Sequence, residues 1–375
     1  MRRIKHHAVS VAIVALICSA FSFANVRAQG QLAVAQKTGT EKAIGMLAAK
    51  RTVIDESGRK VEVPANVRRI VTLAPNLAEI VYALGVQDRL VGVSNFTDYP
   101  VAARAKPSIG MPVNPSLEAI VGAHPDVVLA TAVNTWETVN SLARLGIAVY
   151  TTDPHTVAGM LRSITDIGEV IGAREQAQTL VQKLQVRLNV LQAKLKNSSP
   201  VPALFVVWDH PLISVGESTF ITDALRLAGA RSVIRTKQDW PQVSMEEIVK
   251  LNPEYIIYAD SHMGAGSGGD SAKLANVPSA IAKHLNQLRA DSNWRDLSAV
   301  REGHIAVVSD EIDVPAPGLI DVIEQLTQEL HPHLFQKENQ SSLNNFRNSR
   351  QKRRNTPAFT CARQNISPGA TPCAR

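Results

Sequence analysis

Two stretches of sequence decide the fold: SLEAIVGAHPDVVLATA, residues 116–132, and SMEEIVKLNPEYIIYAD, residues 244–260. They lie 128 residues apart and share one plan. Each opens on a serine suited to a helix N-cap, places a glutamate in the first turn, continues through an apolar Ile-Val pair, and reaches a proline followed by an acid and an apolar strand. A helix that feeds a buried strand is an α/β unit, and finding it twice makes the chain a repeat. A second pair supports this, EIVYALGV at 79–86 and DALRLAGA at 223–230, each a short apolar helix closed by glycine. An apolar strand precedes each helix, RIVTLAP in the first case and ALFVVWDHPLISVG in the second. The sequence therefore predicts two α/β lobes of Rossmann-like build with parallel sheets.

Between the lobes the pattern is helical. Asp153-Pro154 reads as an N-cap with proline at the first helical position, and TVAGMLRSITDIGEVIG runs from there to a glycine stop. From Ala173, apolar residues Ala177, Leu180, Leu184, Leu188, Leu191 and Leu195 recur at three- and four-residue spacing. That is a helix of about 24 residues, roughly 36 Å long at 1.5 Å per residue. A single rigid helix of this length is expected to join the lobes, since bending it breaks consecutive backbone hydrogen bonds.

Working outward, the ends differ from the body. Residues 1–28 have the build of a secretory signal: Arg2, Arg3 and Lys5, the apolar run AVSVAIVALICSAFSF, and Val26-Arg27-Ala28. Lipidation at Cys18 is not expected, because Ile17 before it is bulkier than the small residue such cleavage prefers. Residues 29–51 read as a flexible segment, 52–155 as the N-terminal lobe, 156–197 as the connecting helices, 198–336 as the C-terminal lobe and 337–375 as a disordered basic tail. The net charge of +7 sits at these ends. The signal carries +4 and the tail +7, so subtracting both leaves −4 on residues 29–336. An acidic body has no basic stripe to neutralise phosphates, and nucleic-acid binding drops out. Cys18, Cys361 and Cys373 all lie in the end segments, so the body has no thiolate for catalysis, metal binding or a disulfide.

The run RTVIDESGRKVEVPANVRRIVTLAPNLAEIVYALGVQDRLVGVSNFTDYP, residues 51–100, resembles the opening of ABC-importer binding proteins for ferric siderophores, haem and vitamin B12. The resemblance extends from Thr52 to Leu334, and VSNFTDYP and WPQVSMEEI look most like the cobalamin-binding branch. It implies an exported, periplasmic, monomeric receptor, with no catalytic residue, cofactor or resident metal. Its ligand, a corrinoid or other metal chelate, would sit between the lobes and pass to a permease dimer with its ATPase.

A corrin ring needs flat apolar walls and a few polar anchors. Phe96, Trp136, Trp208 and Trp240 fall in segments expected after strands, and the resemblance places Phe96, Trp136 and Trp240 at aromatic ligand contacts. Taken singly, each aromatic is more often a core residue. Asp310 in SDEIDVPAPG matches a polar ligand contact of the family, while Glu311, Ile312, Asp313 and Val314 depart from its pattern. Glu118 and Glu246, the paired carboxylates of the repeat, match glutamates that dock on permease arginines; the plain reading is that both favour a helix N-terminal dipole.

An enzyme is the rival class. GAGSGG, residues 264–269, fits G-x-G-x-x-G after the strand EYIIYA, but DSAKLANVPSA intervenes before a helix whose N-terminus could face a phosphate. His124, His155, His210 and His304 are scattered without metal-ligand spacing.

Overall fold

The computed structural model describes residues 49–260 and 277–335. The signal, most of the flexible segment, the glycine loop 264–269 and the basic tail lie outside the described residues. Eight parallel strands form two sheets of four. The N-terminal sheet contains β1 (Ile70–Thr72), β2 (Leu90–Val93), β3 (Val127–Thr131) and β4 (Val149–Thr152), in the order β2-β1-β3-β4. The C-terminal sheet contains β5 (Val201–Val206), β6 (Ala230–Ser232), β7 (Tyr255–Ala259) and β8 (Ile305–Val308), in the order β6-β5-β7-β8. The two orders are the same. Strands buried on both faces read as continuous apolar runs, and VVLA of β3 and YIIYA of β7 are such runs.

The helices, in chain order, are α1 (Pro75–Ala83), α2 (Leu117–Gly122), α3 (Trp136–Arg144), α4 (Val157–Val170), α5 (Arg174–Leu195), α6 (Phe220–Leu227), α7 (Met245–Leu251), α8 (Val277–Ala290), α9 (Ser298–Glu302) and α10 (Leu319–Leu330). The repeat holds in atomic detail at α2 and α7. The Ser116 hydroxyl accepts from the Ala119 N–H and the Ser244 hydroxyl from the Glu247 N–H, each at 3.2 Å. Both helices then end on a residue with positive φ just before the proline, His124 at 45° and Asn252 at 41°. A left-handed residue stops a helix and aims the chain into the next strand, and asparagine tolerates it better than histidine does. His124, weighed above as a metal ligand, is this turn residue. Among the described residues no group of three or more His, Asp, Glu or Cys could hold a metal ion.

The connecting helices need one correction. α4 starts at Val157, not after Asp153-Pro154, and its N-cap is Thr156, whose hydroxyl accepts from the Gly159 N–H at 2.9 Å. The Asp153 carboxylate instead pairs with His155 at 3.3 Å, while its N–H donates to the Glu56 carboxylate at 2.7 Å, and the cap falls to Thr156. α5 spans 22 residues, about 33 Å. It buries Ala177, Leu184, Leu188 and Leu191, the heptad-like stripe legible in the sequence.

One apolar cluster runs without a break from Ile70 and Leu77 in the first lobe, through Met160, Ile164, Leu184 and Leu188 of the connecting helices, to Phe205, Leu225 and Leu326 in the second. The far face of each sheet has its own smaller cluster, around Val128 and Leu142 in one lobe and around Ile256 and Val300 in the other. Each fully buried side chain of this kind contributes about 1.5–3 kcal/mol. Arg187 of α5 adds polar ties to α10, donating to Glu324 at 2.7 and 2.8 Å and to Asp321.

Candidate functional site between the lobes

In a parallel sheet the loops after the strands gather at one edge, and open α/β sheets bind ligands there. The two edges come together at Gly318. The N–H of Gly318, in the segment between β8 and α10, donates to the Glu79 carboxylate on α1, which follows β1, at 2.8 Å. Tyr99, in the loop after β2, lies in the field of Glu311, in the 3-10 turn after β8. The phenol is held above its ordinary pKa first by partial burial, then by Glu79, Glu311 and Asp321.

All five expected ligand residues lie on segments that follow strands of these sheets. Phe96 is in the turn after β2, Trp136 follows β3, Trp208 follows β5, Trp240 follows β6, and Asp310 follows β8. Their local settings differ from simple loops. Trp136 is the first residue of α3, with Thr135 as N-cap; Trp208 begins a two-residue strand paired with Leu212–Ile213; Asp310 opens the 3-10 turn Asp310–Asp313, where it is partly exposed. The aromatics keep large exposed areas: 65% for Phe96, 61% for Trp136, 50% for Trp240 and 43% for Trp208. That decides against core packing. By contrast Trp294, the fourth tryptophan, is buried. Large exposed aromatics on the segments beyond strand ends are candidates for a binding surface.

Two kinds of stitching hold these loops. In the C-terminal lobe the Ser214 N–H donates to the Pro241 carbonyl and the Gly216 N–H to the Asp239 carbonyl, both at 3.0 Å, which joins the Trp208 hairpin to the Trp240 loop. A Cβ on Gly216 would come within 1.9 Å of the Gln238 carbonyl, so only glycine lets the two strands of backbone approach. In the N-terminal lobe the tie is a side chain. Buried Asn134 accepts from the Thr131 N–H at 2.7 Å and donates to the Pro112 carbonyl at 2.6 Å, linking the segment before Trp136 to the hairpin around Met111 and Val113.

The structure adds residues that sequence reasoning missed. Tyr99, Met111 and Val113 are exposed apolar neighbours of the Phe96 and Trp136 segments; Tyr99 was legible in SNFTDYP itself. Arg59 stands over the Trp136 ring at 5.3 Å, a cation–π contact joining residues 77 positions apart that no local pattern signals. Arg235 and Lys237 are exposed on the loop that carries Trp240. A cavity of about 360 Å³ lined by Glu56, Asp153, His155, Arg162 and Asp166, among others, lies at the start of α4 and includes none of the aromatics.

Glu118 and Glu246 are exposed on α2 and α7. Glu246 pairs with Lys250 at 2.7 Å, whereas Glu118 makes no ion pair among the described residues. Among the described residues no helix is long and apolar enough to cross a membrane.

Comparison with known proteins agrees with this architecture. The chain is 28% identical over 295 residues to an uncharacterized ABC transporter substrate-binding lipoprotein, YvrC of Bacillus subtilis, covering 76% of this chain and 87% of that protein. It is 29% identical over 191 residues to a vitamin B12-binding protein of Photorhabdus laumondii, covering 50% and 70%. In fold it is similar to the periplasmic haem-binding protein RhuT of Roseiflexus, with a TM-score of 0.61 at 18% identity over 71% of this chain and 99% of that one. The family described as periplasmic binding protein matches residues 70–311. Two parallel-sheet lobes of equal strand order and a family match across most of both place the chain in the periplasmic binding protein family, whose members bind solutes for transport.

Proposed function

We propose that this protein captures a corrinoid between its lobes and delivers it to an ABC importer. The observation that carries the reading is the set of exposed aromatics, Phe96, Trp136, Trp208 and Trp240, on segments after the strands of both sheets. A corrin is a broad apolar ring rimmed with amides, so flat aromatic walls match most of its area, and Asp310 supplies a polar anchor. The vitamin B12-binding relative supports the same branch. Glu118 and Glu246, one on each lobe at matching repeat positions, suit a receptor that straddles a two-fold permease dimer bearing arginines. The chain acts as a monomer in this reading, outside the cytoplasm, beside a permease with its ATPase.

Haem is the second reading. Arg235 and Lys237 beside Trp240 offer cations for its two propionates, which a corrin does not require. Titration of the purified protein with cyanocobalamin and with haemin, followed by visible absorbance and calorimetry, separates the two. The corrinoid reading expects cyanocobalamin binding at about 1 μM or tighter, near −8 kcal/mol. Tight haemin or ferric siderophore binding with no corrinoid response overturns it.

A further inference from the structure

Glu79 is a carboxylic acid in an apolar helix, PNLAEIVYA, between Ala78 and Ile80, and it is only 7% exposed. A lone surface glutamate needs no explanation, but a buried one must be held by something. Its single described partner belongs to the other lobe: the Gly318 N–H, 239 residues along the chain. The contact is close enough that a Cβ on Gly318 would stand 3.1 Å from the Glu79 carboxylate and 3.0 Å from the Glu311 side chain.

The groups facing Glu79 are those of one sign. Glu311 comes from the 3-10 turn after β8 and Asp321 from the first turn of α10. Tyr99 comes from the loop after β2. β1 and β2, which pack against α1, carry no charged side chain. Arg89, in the neighbouring turn Gln87–Arg89, donates to the Ile171 carbonyl at 2.7 Å, and Arg187 is committed to Asp321 and Glu324. Burial raises the Glu79 pKa from 4.5 to about 7; the Gly318 hydrogen bond opposes this, and Glu311 and Asp321 add to it.

We propose that Glu79 is a proton-linked tie between the lobes: the buried junction is stable with the acid protonated, and ionisation, although it makes the carboxylate a better acceptor for the Gly318 N–H, leaves an uncompensated buried charge facing Glu311 and Asp321 and so loosens the junction. The sign follows from linkage. A carboxyl whose pKa is raised in the closed, folded arrangement favours that arrangement fully below about 4.5, and the advantage fades as pH rises to about 7. Above that, an opened junction in which Glu79 meets water is favoured relative to its standing at low pH, because the ionised acid no longer faces Glu311 and Asp321 in a dry site. The tie depends on no assumption about the ligand.

The test is hydrogen exchange at the Gly318 amide in the ligand-free, full-length protein, compared with Glu79→Gln after correction for intrinsic rates. Glutamine keeps a carbonyl acceptor of the same shape and cannot ionise. Between pH 5.5 and 8 the protection of Gly318 in the native protein should fall at least fivefold relative to the variant. A smaller relative change overturns the proposal. If the variant does not fold, the carbon-13 titration of the Glu79 carboxyl in the native protein replaces it: a midpoint above 6 is expected, and one at 6 or below overturns the tie. Neither measurement uses ligand, so its failure leaves the corrinoid reading untouched, and failure to bind corrinoid leaves this one untouched.

Discussion

The two lobes share a backbone and differ in how that backbone is fastened. At the repeat, Ser116 and Ser244 cap alike, His124 and Asn252 turn alike, and β3 and β7 occupy the same place in their sheets. At the sheet edges the likeness stops. The C-terminal wall is stitched through backbone around Gly216, the N-terminal wall through the side chain of Asn134. Even the paired glutamates diverge: Lys250 sits beside Glu246, and Gly122 holds the matching place near Glu118. The difference teaches that capping, turning and strand order are needed for any such lobe to fold, while the edge loops are free to be built by separate means.

The most severe way to break one wall and spare the other is Gly216→Ala. Its Cβ would collide with backbone, which cannot rotate aside as a side chain can, so a loss of about 3 kcal/mol or more is expected by denaturant titration. Asn134→Ala acts on the opposite wall and should cost less, about 1–3 kcal/mol, because it leaves the Thr131 N–H and the Pro112 carbonyl without their partner but introduces no clash. Equal losses from the two would dissolve the distinction between the walls.

A direct probe of the proposed binding surface follows. Trp240→Ala should weaken corrinoid binding by about 1–3 kcal/mol in calorimetry while leaving the melting temperature nearly unchanged, since the ring is half exposed in the free protein. A large drop in stability would mean that the ring serves its own lobe. The smallest effect on the isolated protein is expected for the double substitution Glu118→Ala with Glu246→Ala. Ligand affinity should stay within about 0.5 kcal/mol, as is usual for exposed charges away from a site. Uptake in vesicles reconstituted with permease and ATPase should nevertheless fall about tenfold, near 1.4 kcal/mol. Unchanged uptake would remove the docking role.

Much of the fold was legible because its signals are local. An N-cap serine, a proline after a helix and a leucine stripe at helical spacing each act within a few residues, and the repeat then doubled every one of them. Reading failed where two local signals competed. Asp153-Pro154 has the composition of a helix start, but the Asp153 carboxylate pairs with His155 and Thr156 three residues on caps the helix instead. The site sets a different limit. That Phe96, Trp136, Trp208 and Trp240 follow strands was readable from apolar runs and turns. That Arg59 covers Trp136, or that Glu79 finds Gly318, was not, because the partners lie 77 and 239 residues apart and neither pairing leaves a periodic trace.

The apolar cluster that passes from one sheet to the other through α4 and α5 sets the size of the unit that can fold. Cutting the chain between α5 and β5 would strip α5 of its packing against α6 and α10, and would leave an apolar stripe facing water on one fragment and the apolar faces of α6 and α10 uncovered on the other. Neither half could then serve as a self-sufficient module, although the repeat makes each look like one. Heat should find a single cooperative transition rather than two, since no polar break in that cluster separates the lobes at which melting could pause. In architecture this is a pair of lobes; in thermodynamics it is one body.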